Sequence, residues 1–228
     1  MIKGFPEILY EDNHIIIVNK RSSDLVQGDG TGDEPLDDIV RAYIKEKYNK
    51  PGDVFLGVVH RLDRPVSGCV VYARTSKALT RLSELFRTRE VKKTYWAIVT
   101  DRPPAEEGTL SNWLKKNEKQ NKSYVYPTEV KGSKLAELSY KILGRSERYY
   151  LVEVDLQTGR HHQIRAQMAA AGCPIKGDLK YGAKRSNEGG GISLHSRRVS
   201  FVHPVKNEEI SVTAPPPGDR IWKLFANI

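Results

Sequence analysis

The sequence predicts an α+β domain with a largely antiparallel sheet. Strand patterns dominate the middle of the chain, and helical patterns intervene irregularly instead of alternating with strands, which argues against a doubly wound parallel sheet. The chain has 228 residues, 39% of them apolar and 29% charged. At this size about 70% of the unfolded surface can leave water, enough for a full core without disulfide or metal staples. One domain over residues 1–228 is expected.

The elements follow in order. Ile8–Asn19 reads as a hairpin that turns at Asp12-Asn13. Residues 28–34 (GDGTGDE) read as a flexible glycine-rich acidic loop; Asp29, Asp33 and Glu34 would repel phosphate. Leu36–Tyr48 carries Leu36, Ile39, Val40, Tyr43 and Ile44 on one helical face. Gly68–Arg74 is a β-branched strand, and Ser76 is expected to cap a helix running to about Phe86. Val91–Thr100 alternates as a strand, with Tyr95, Ala97 and Val99 on one face and Thr94, Trp96 and Ile98 on the other. Further strands are expected near Leu110–Trp113, Tyr124–Thr128, Ala136–Leu143 and Tyr149–Leu156. A helix is expected over His161–Ala171, stopped by Gly172 and Pro174. Strands near Ile192–Val202 and Glu209–Thr213 precede a short helix, Asp219–Ala226.

The net charge of +9 favours a polyanionic partner, nucleic acid before membrane. Residues 157–206 carry nine Lys or Arg against two acids, so the partner is expected to meet this segment. No apolar run approaches the roughly 18 residues that span a bilayer. The first six residues lack an apolar signal region. Cys69 and Cys173 form neither a CxxC pair nor a disulfide framework, and a reducing cytoplasm is the expected compartment.

Three constellations carry chemistry. In His60-Arg61-Leu62-Asp63-Arg64-Pro65-Val66-Ser67-Gly68 an acid sits between two arginines. Flanking cations hold a carboxylate ionised, and an ionised carboxylate serves as nucleophile, base or metal ligand. Taken alone, Asp63 is equally an ion-paired surface residue. In Leu156-Gln157-Thr158-Gly159-Arg160-His161-His162-Gln163-Ile164-Arg165 a strand turns into a helix whose N-terminus favours anions. Arg165 follows His161 by four residues, so the two are expected to share a helix face. His161-His162 is a poor metal pair, because adjacent helical residues point apart. In Lys92-Lys93-Thr94-Tyr95-Trp96-Ala97 an aromatic follows two lysines on a strand. Such a group can stack a base while the lysines meet phosphates, although a tyrosine in a sheet core reads the same way.

Together the segments resemble the RluA family of RNA pseudouridine synthases. The family's HRLD element appears at His60–Gly68 and its K-x-Y-x-A strand at Lys93–Ala97. Its T-G-R-x-H-Q-I-R element appears at Thr158–Arg165, followed by Gly172–Gly182 for G-x-P-I-x-G-D-x-x-Y-G. Leu194-His195-Ser196 and Phe201-Val202-His203-Pro204 also match. Departures are Arg21-Ser22-Ser23 where the family has Pro-x-Gly after the lysine, Val66 for a threonine, and Gln167 for a histidine. The first strand begins by about Ile8, so no S4 domain is expected before it.

The resemblance implies conversion of uridine to pseudouridine in ribosomal or transfer RNA, by a monomer with no cofactor and no metal. It implies an extended, bent sheet with a central cleft. Asp63 matches the catalytic aspartate. Three routes stay open to it: attack on ribose C1′, addition to uracil C6, or assistance of glycal formation. Arg165 matches the arginine that pairs with this aspartate, and Tyr95 the tyrosine that stacks on the uracil. Arg61 matches an arginine that fills the space a flipped base leaves. Lys93, Arg160 and His161 are expected to meet the RNA. Two rivals are weaker. A binding protein without activity would not need the acid–arginine pair. A metal phosphodiesterase on His60, Asp63 and His161 would need more carboxylates.

Overall fold

The computed structural model describes residues 5–28, 30 and 32–228. Asp29 and Thr31 of the acidic loop and the first four residues lie outside them. The chain forms two compact units, Met1–Val91 with Ser196–Pro216 and Lys92–His195 with Pro217–Ile228.

In the first unit, strands β1 (Glu7–Glu11) and β2 (Ile15–Lys20) form the expected hairpin. Helix α1 (Leu36–Lys47), a two-residue strand β3 (Gly57–Val58), strand β4 (Ser67–Ala73) and helix α2 (Ser76–Thr88) follow. The chain returns to this unit within strand β10 (Leu194–Val202), whose first two residues belong to the second unit, and ends there with β11 (Glu209–Thr213). The strand order is β1-β2-β4-β10; β3 pairs with β4 and β11 with β10.

Strand β2 reads as an unbroken apolar run because it is buried on both faces. Ile15 and Ile17 pack with Cys69, Val71 and the α2 residues Ala78 and Leu82. Ile16 and Val18 pack with Val70, Tyr72 and the α1 residues Val40 and Ile44. The cap of α2 differs from expectation. Thr75 is extended (φ −139°) and its Oγ1 accepts from the Ala78 amide at 3.2 Å, so Ser76 is already helical. Gly68 has φ +113°, and a Cβ there would lie 2.3 Å from the Ser196 carbonyl oxygen. Only glycine fits where β4 leaves the His60–Ser67 segment.

In the second unit the strands are β5 (Lys92–Val99), β6 (Glu107–Asn117), β7 (Lys122–Tyr126), β8 (Lys134–Arg145) and β9 (Tyr150–Leu156), in the order β5-β9-β8-β6-β7. These pairs are all antiparallel, as are β1–β2, β2–β4, β3–β4 and β10–β11. Helix α3 (Gln163–Ala170) covers one sheet face, where Ala166 and Ala169 meet Leu114, Val125 and Ala136. Helix α4 (Arg220–Lys223) covers Ile98 and Leu151 with Trp222, joined by Phe225 just beyond the helix; its cap is the Asp219 carboxylate. Two single 3₁₀ turns, Leu179–Tyr181 and Glu188–Gly190, were not expected from the sequence. Among the described residues no helix is long and apolar enough to cross a membrane.

Thr75→Ala is expected to cost about 1 kcal/mol, the usual loss for an N-cap, and Ser76→Ala less than about 0.5 kcal/mol. Urea midpoints of the two variants check this.

Candidate functional site

Lys20 organises the part of the site in the first unit. It ends β2 opposite Gly68 of β4, and its side chain is 1% exposed. Its ammonium donates to the carbonyls of Arg21 (2.9 Å), Arg64 (3.0 Å) and Val66 (2.7 Å). An ammonium has three N–H donors and burial leaves none of them to water. Burial pushes its pKa down to about 8, against the upward pull of Asp24 and Asp63.

The bonds of Lys20 hold a short turn. The Val66 amide donates to the Asp63 carbonyl at 3.0 Å, and the Ser23 amide to the Arg64 carbonyl at 2.9 Å. Ser22 Oγ donates to the Pro65 carbonyl at 3.3 Å. At the front of the segment, His60 Nε2 accepts from the Val71 amide at 2.9 Å. Its ring stacks on Phe86 with centroids 4.6 Å apart. Asp63 is half-buried and Arg61 exposed. Arg64, the second flanking arginine, also has partners of its own. Its guanidinium pairs with Asp33 at 2.5 Å and donates to the Ser23 carbonyl at 3.1 Å. Lys20 is a cation whose charge couples to Asp63.

The remaining expected residues lie in the second unit. Tyr95, 8% exposed, stands opposite Val154 in the β5–β9 pair. Its neighbour Thr94 donates to Asp155 Oδ1 at 2.6 Å. Lys93 is half-buried, and its Nζ lies 3.5 Å from where a Cβ on Gly159 would stand.

The turn before α3 is knit by side chains. Gln163 Oε1 accepts from the Thr158 hydroxyl (2.7 Å) and the Arg160 amide (2.9 Å). Arg160 Nε donates to the Leu135 carbonyl at 2.8 Å. His162 is left-handed (φ +53°), so the helix starts at Gln163, two residues later than expected. His161 therefore precedes the helix and does not share a helical face with Arg165. The histidine rings also do not point apart: they stack with centroids 3.8 Å apart, because neither residue is inside the helix.

Arg165 is buried and forms a two-pronged pair with Asp178, Nε to Oδ2 at 2.7 Å and Nη2 to Oδ1 at 2.9 Å. This geometry fixes the guanidinium plane. The guanidinium also lies 5.2 Å from the centroid of the Tyr181 ring. The Tyr181 oxygen accepts from the Ser123 amide at 2.8 Å and lies 3.0 Å from His162 Nδ1. Burial, then the positive charges of Arg165 and His161, push His162 down to about 2. Tyr181 Oη and His162 Nδ1 share this hydrogen bond, whose direction follows the tautomer of the neutral ring. His161 contacts Ser123 Oγ (2.9 Å) and Asn121 Oδ1 (3.0 Å), tying this turn to the β6–β7 hairpin. Gln167, at the position of the family histidine, donates to the Leu110 and Ala136 carbonyls and to Asn112 Oδ1.

Thus Arg61 and Asp63 belong to the first unit, and Lys93, Tyr95, Arg160, His161 and Arg165 to the second. Sequence reasoning assigned no role to Lys20, His162, Asp178 or Tyr181. All four stood in the motifs quoted, His162 as the fixed histidine of the Thr158–Arg165 element, but no local spacing links Lys20 to Asp63 or Asp178 to Arg165. Among the described residues, no group of three or more His, Cys, Asp or Glu could hold a metal ion.

Lys20→Met is expected to cost about 1–3 kcal/mol, because buried carbonyls lose their donor. Urea denaturation measures the loss. The His162 ring is expected to stay neutral from pH 4 to 8. Its folded pKa lies below the unfolded value, so the unfolded chain binds the proton and this group lowers stability as pH falls below about 6.5. Proton NMR of the ring hydrogens, with His162→Gln for assignment, tests this; a titration midpoint near 6.5 would refute it.

The family described as RNA pseudouridylate synthase matches residues 14–170. An RNA pseudouridine synthase of Synechocystis sp. is 33% identical over 92% of this chain and 65% of its own length. The ribosomal large subunit pseudouridine synthase C of Vibrio parahaemolyticus is 33% identical over 91% of this chain and 65% of its own length. The chain thus spans just under two thirds of these relatives. Among solved structures, human RNA pseudouridylate synthase domain containing 4 shares the fold, with a TM-score of 0.81, 24% identity, and coverage of 96% of this chain and 92% of that one.

Proposed function

The chain belongs to the RNA pseudouridylate synthase family, and from that premise we propose that it isomerises uridine to pseudouridine in RNA, with Asp63 as the reacting carboxylate. The observation that carries the reading is the Asp63 turn, clamped through its carbonyls by a buried ammonium. A carboxylate that must meet a nucleoside needs a backbone fixed before the substrate arrives.

In the proposed reaction the C1′–N1 bond of uridine breaks and a C1′–C5 bond forms. The C5 proton is lost to solvent and N1 is protonated. No redox change or group donor enters, so no cofactor is required. Tyr95 stacks on the uracil, Arg165 keeps the carboxylate charged and oriented, and Asp178 positions Arg165. Arg61 fills the space left by the flipped base, its planar guanidinium able to stack and bond at once. Lys93, Arg160 and His161 meet the RNA backbone. Ribosomal RNA is the proposed substrate, by analogy with the Vibrio relative, a ribosomal large subunit pseudouridine synthase. Residues 1–228 are proposed as one catalytic domain, since the family match crosses the boundary between the units. A cytoplasmic monomer completes the reading, consistent with two buried free thiols.

Single-turnover release of tritium from C5-labelled RNA tests this. Asp63→Asn is expected to lower the rate by several decades, on the order of losses seen when reacting groups are deleted elsewhere, with RNA binding retained. Release at the wild-type rate would remove Asp63 from the reaction. Ribosomal and transfer RNA transcripts, assayed separately, decide the substrate. Arg61→Ala is expected to slow conversion in a folded stem-loop more than in an unstructured strand with the same uridine. Equal slowing would assign Arg61 to the chemistry.

A further inference from the structure

The β6–β7 hairpin presents two unlike faces. One packs toward α3 through Leu114 and Val125. The register places Trp113 opposite Tyr126 and Leu135, Lys115 opposite Tyr124, and Asn117 opposite Lys122. Cross-strand partners point the same way, so these residues share the other face.

That face combines aromatic rings with positive charge. Tyr124 is 39% exposed, a large value for a tyrosine within a strand, while Trp113 and Tyr126 are half-buried. Half-buried Lys122 lies at the edge of the face, its Nζ 5.6 Å from the Tyr124 ring centroid and 5.2 Å from that of Tyr181. Lys115 is exposed, and Lys119 is exposed in the turn. At the other end of the platform, Arg160 bonds the carbonyl of Leu135, the residue opposite Trp113. Glu137 bounds the face beside Ser111, at 3.5 Å. The hairpin is anchored by bonds of Asn121 and Ser123 to His161, Lys180 and Tyr181.

We propose that this face binds a single-stranded segment of the RNA beside the target uridine. An unpaired base stacks on Tyr124, and Lys115 and Lys122 meet the flanking phosphates. The inference rests on the RNA reading above and extends it to a second place of contact, continuous with Arg160. Aromatic rings interleaved with cations suit a single strand, whose bases have open π-faces, better than a duplex, whose bases are covered. The charge selects a polyanion and the rings select its unpaired bases.

The test measures binding by fluorescence anisotropy, with a labelled oligouridylate dodecamer and a blunt GC duplex of equal length. Tyr124→Ala is expected to weaken dodecamer binding about tenfold, the scale of one lost base stack, and to change duplex binding less than about twofold. Tyr124→Phe keeps the ring and is expected to bind as wild type. Lys115→Ala is expected to reduce the salt slope by about 0.7. Phe55→Ala, an exposed aromatic of the other unit (47%), is the control and is expected to change nothing. Unchanged dodecamer binding by Tyr124→Ala overturns the proposal. So does an equal loss for both RNAs, or the same loss in Phe55→Ala. Tritium release by the wild-type protein is measured in parallel. Binding through Tyr124 without release would retain this face and reject the catalytic reading; release without binding through Tyr124 would do the reverse.

Discussion

An ammonium withdrawn from water must find an acceptor for each N–H, and Lys20 finds three in backbone carbonyls. Two of them belong to the turn that follows Asp63. The interaction works in both directions. The carbonyls satisfy the lysine, and the lysine fixes where Arg64 and Val66 sit, hence where the backbone of Asp63 sits. Gly68 completes the arrangement by letting β4 pass against Ser196 with no side chain in between. The serines after Lys20 add bonds to Arg64 and Pro65, so the departure from the family's Pro-x-Gly leaves a turn that still grips the same segment.

In the second unit, buried Arg165 is paired with Asp178, and its ring neighbour Tyr181 shares a hydrogen bond with His162. His162 lies among cations and carries no charge of its own, which keeps a further positive charge out of a crowded positive region. The same tyrosine oxygen accepts from Ser123 on β7. The guanidinium, the α3 turn and the hairpin are therefore joined by one chain of contacts. With the hairpin as the proposed RNA-binding face, docking of RNA and the placement of Arg165 depend on the same groups.

Much of the fold was legible because it depends on local periodicity. The 3.6-residue pattern of Leu36–Lys47 and the alternation of Lys92–Val99 survive in the folded chain with ends shifted by a residue or two. Starts that depend on side-chain bonds were less legible. Thr75 and Ser76 are both good capping types, and the backbone decides between them by leaving Thr75 extended. The helix after Arg160 begins late because Gln163 captures Arg160 and Thr158 and because His162 adopts a left-handed backbone, neither of which is a feature of residue type alone.

The sequence by itself determined the α+β class, the largely antiparallel character of the sheet and the family, since these rest on periodicity and on residue types at fixed spacings. It also singled out Asp63, Tyr95 and Arg165 by their motifs. Tertiary structure decided which charges meet: Arg64 with Asp33, Arg165 with Asp178, and Lys20 with the Asp63 turn. It also decided that Trp113, Lys115, Tyr124 and Tyr126 share a face. The physical reason is range. Periodicity is set within a few residues of chain, whereas Lys20 bonds a carbonyl 44 residues away and Arg165 a carboxylate 13 residues away. Such partners are chosen by strand register and by the need to satisfy buried charge, and both exist only after the chain has folded.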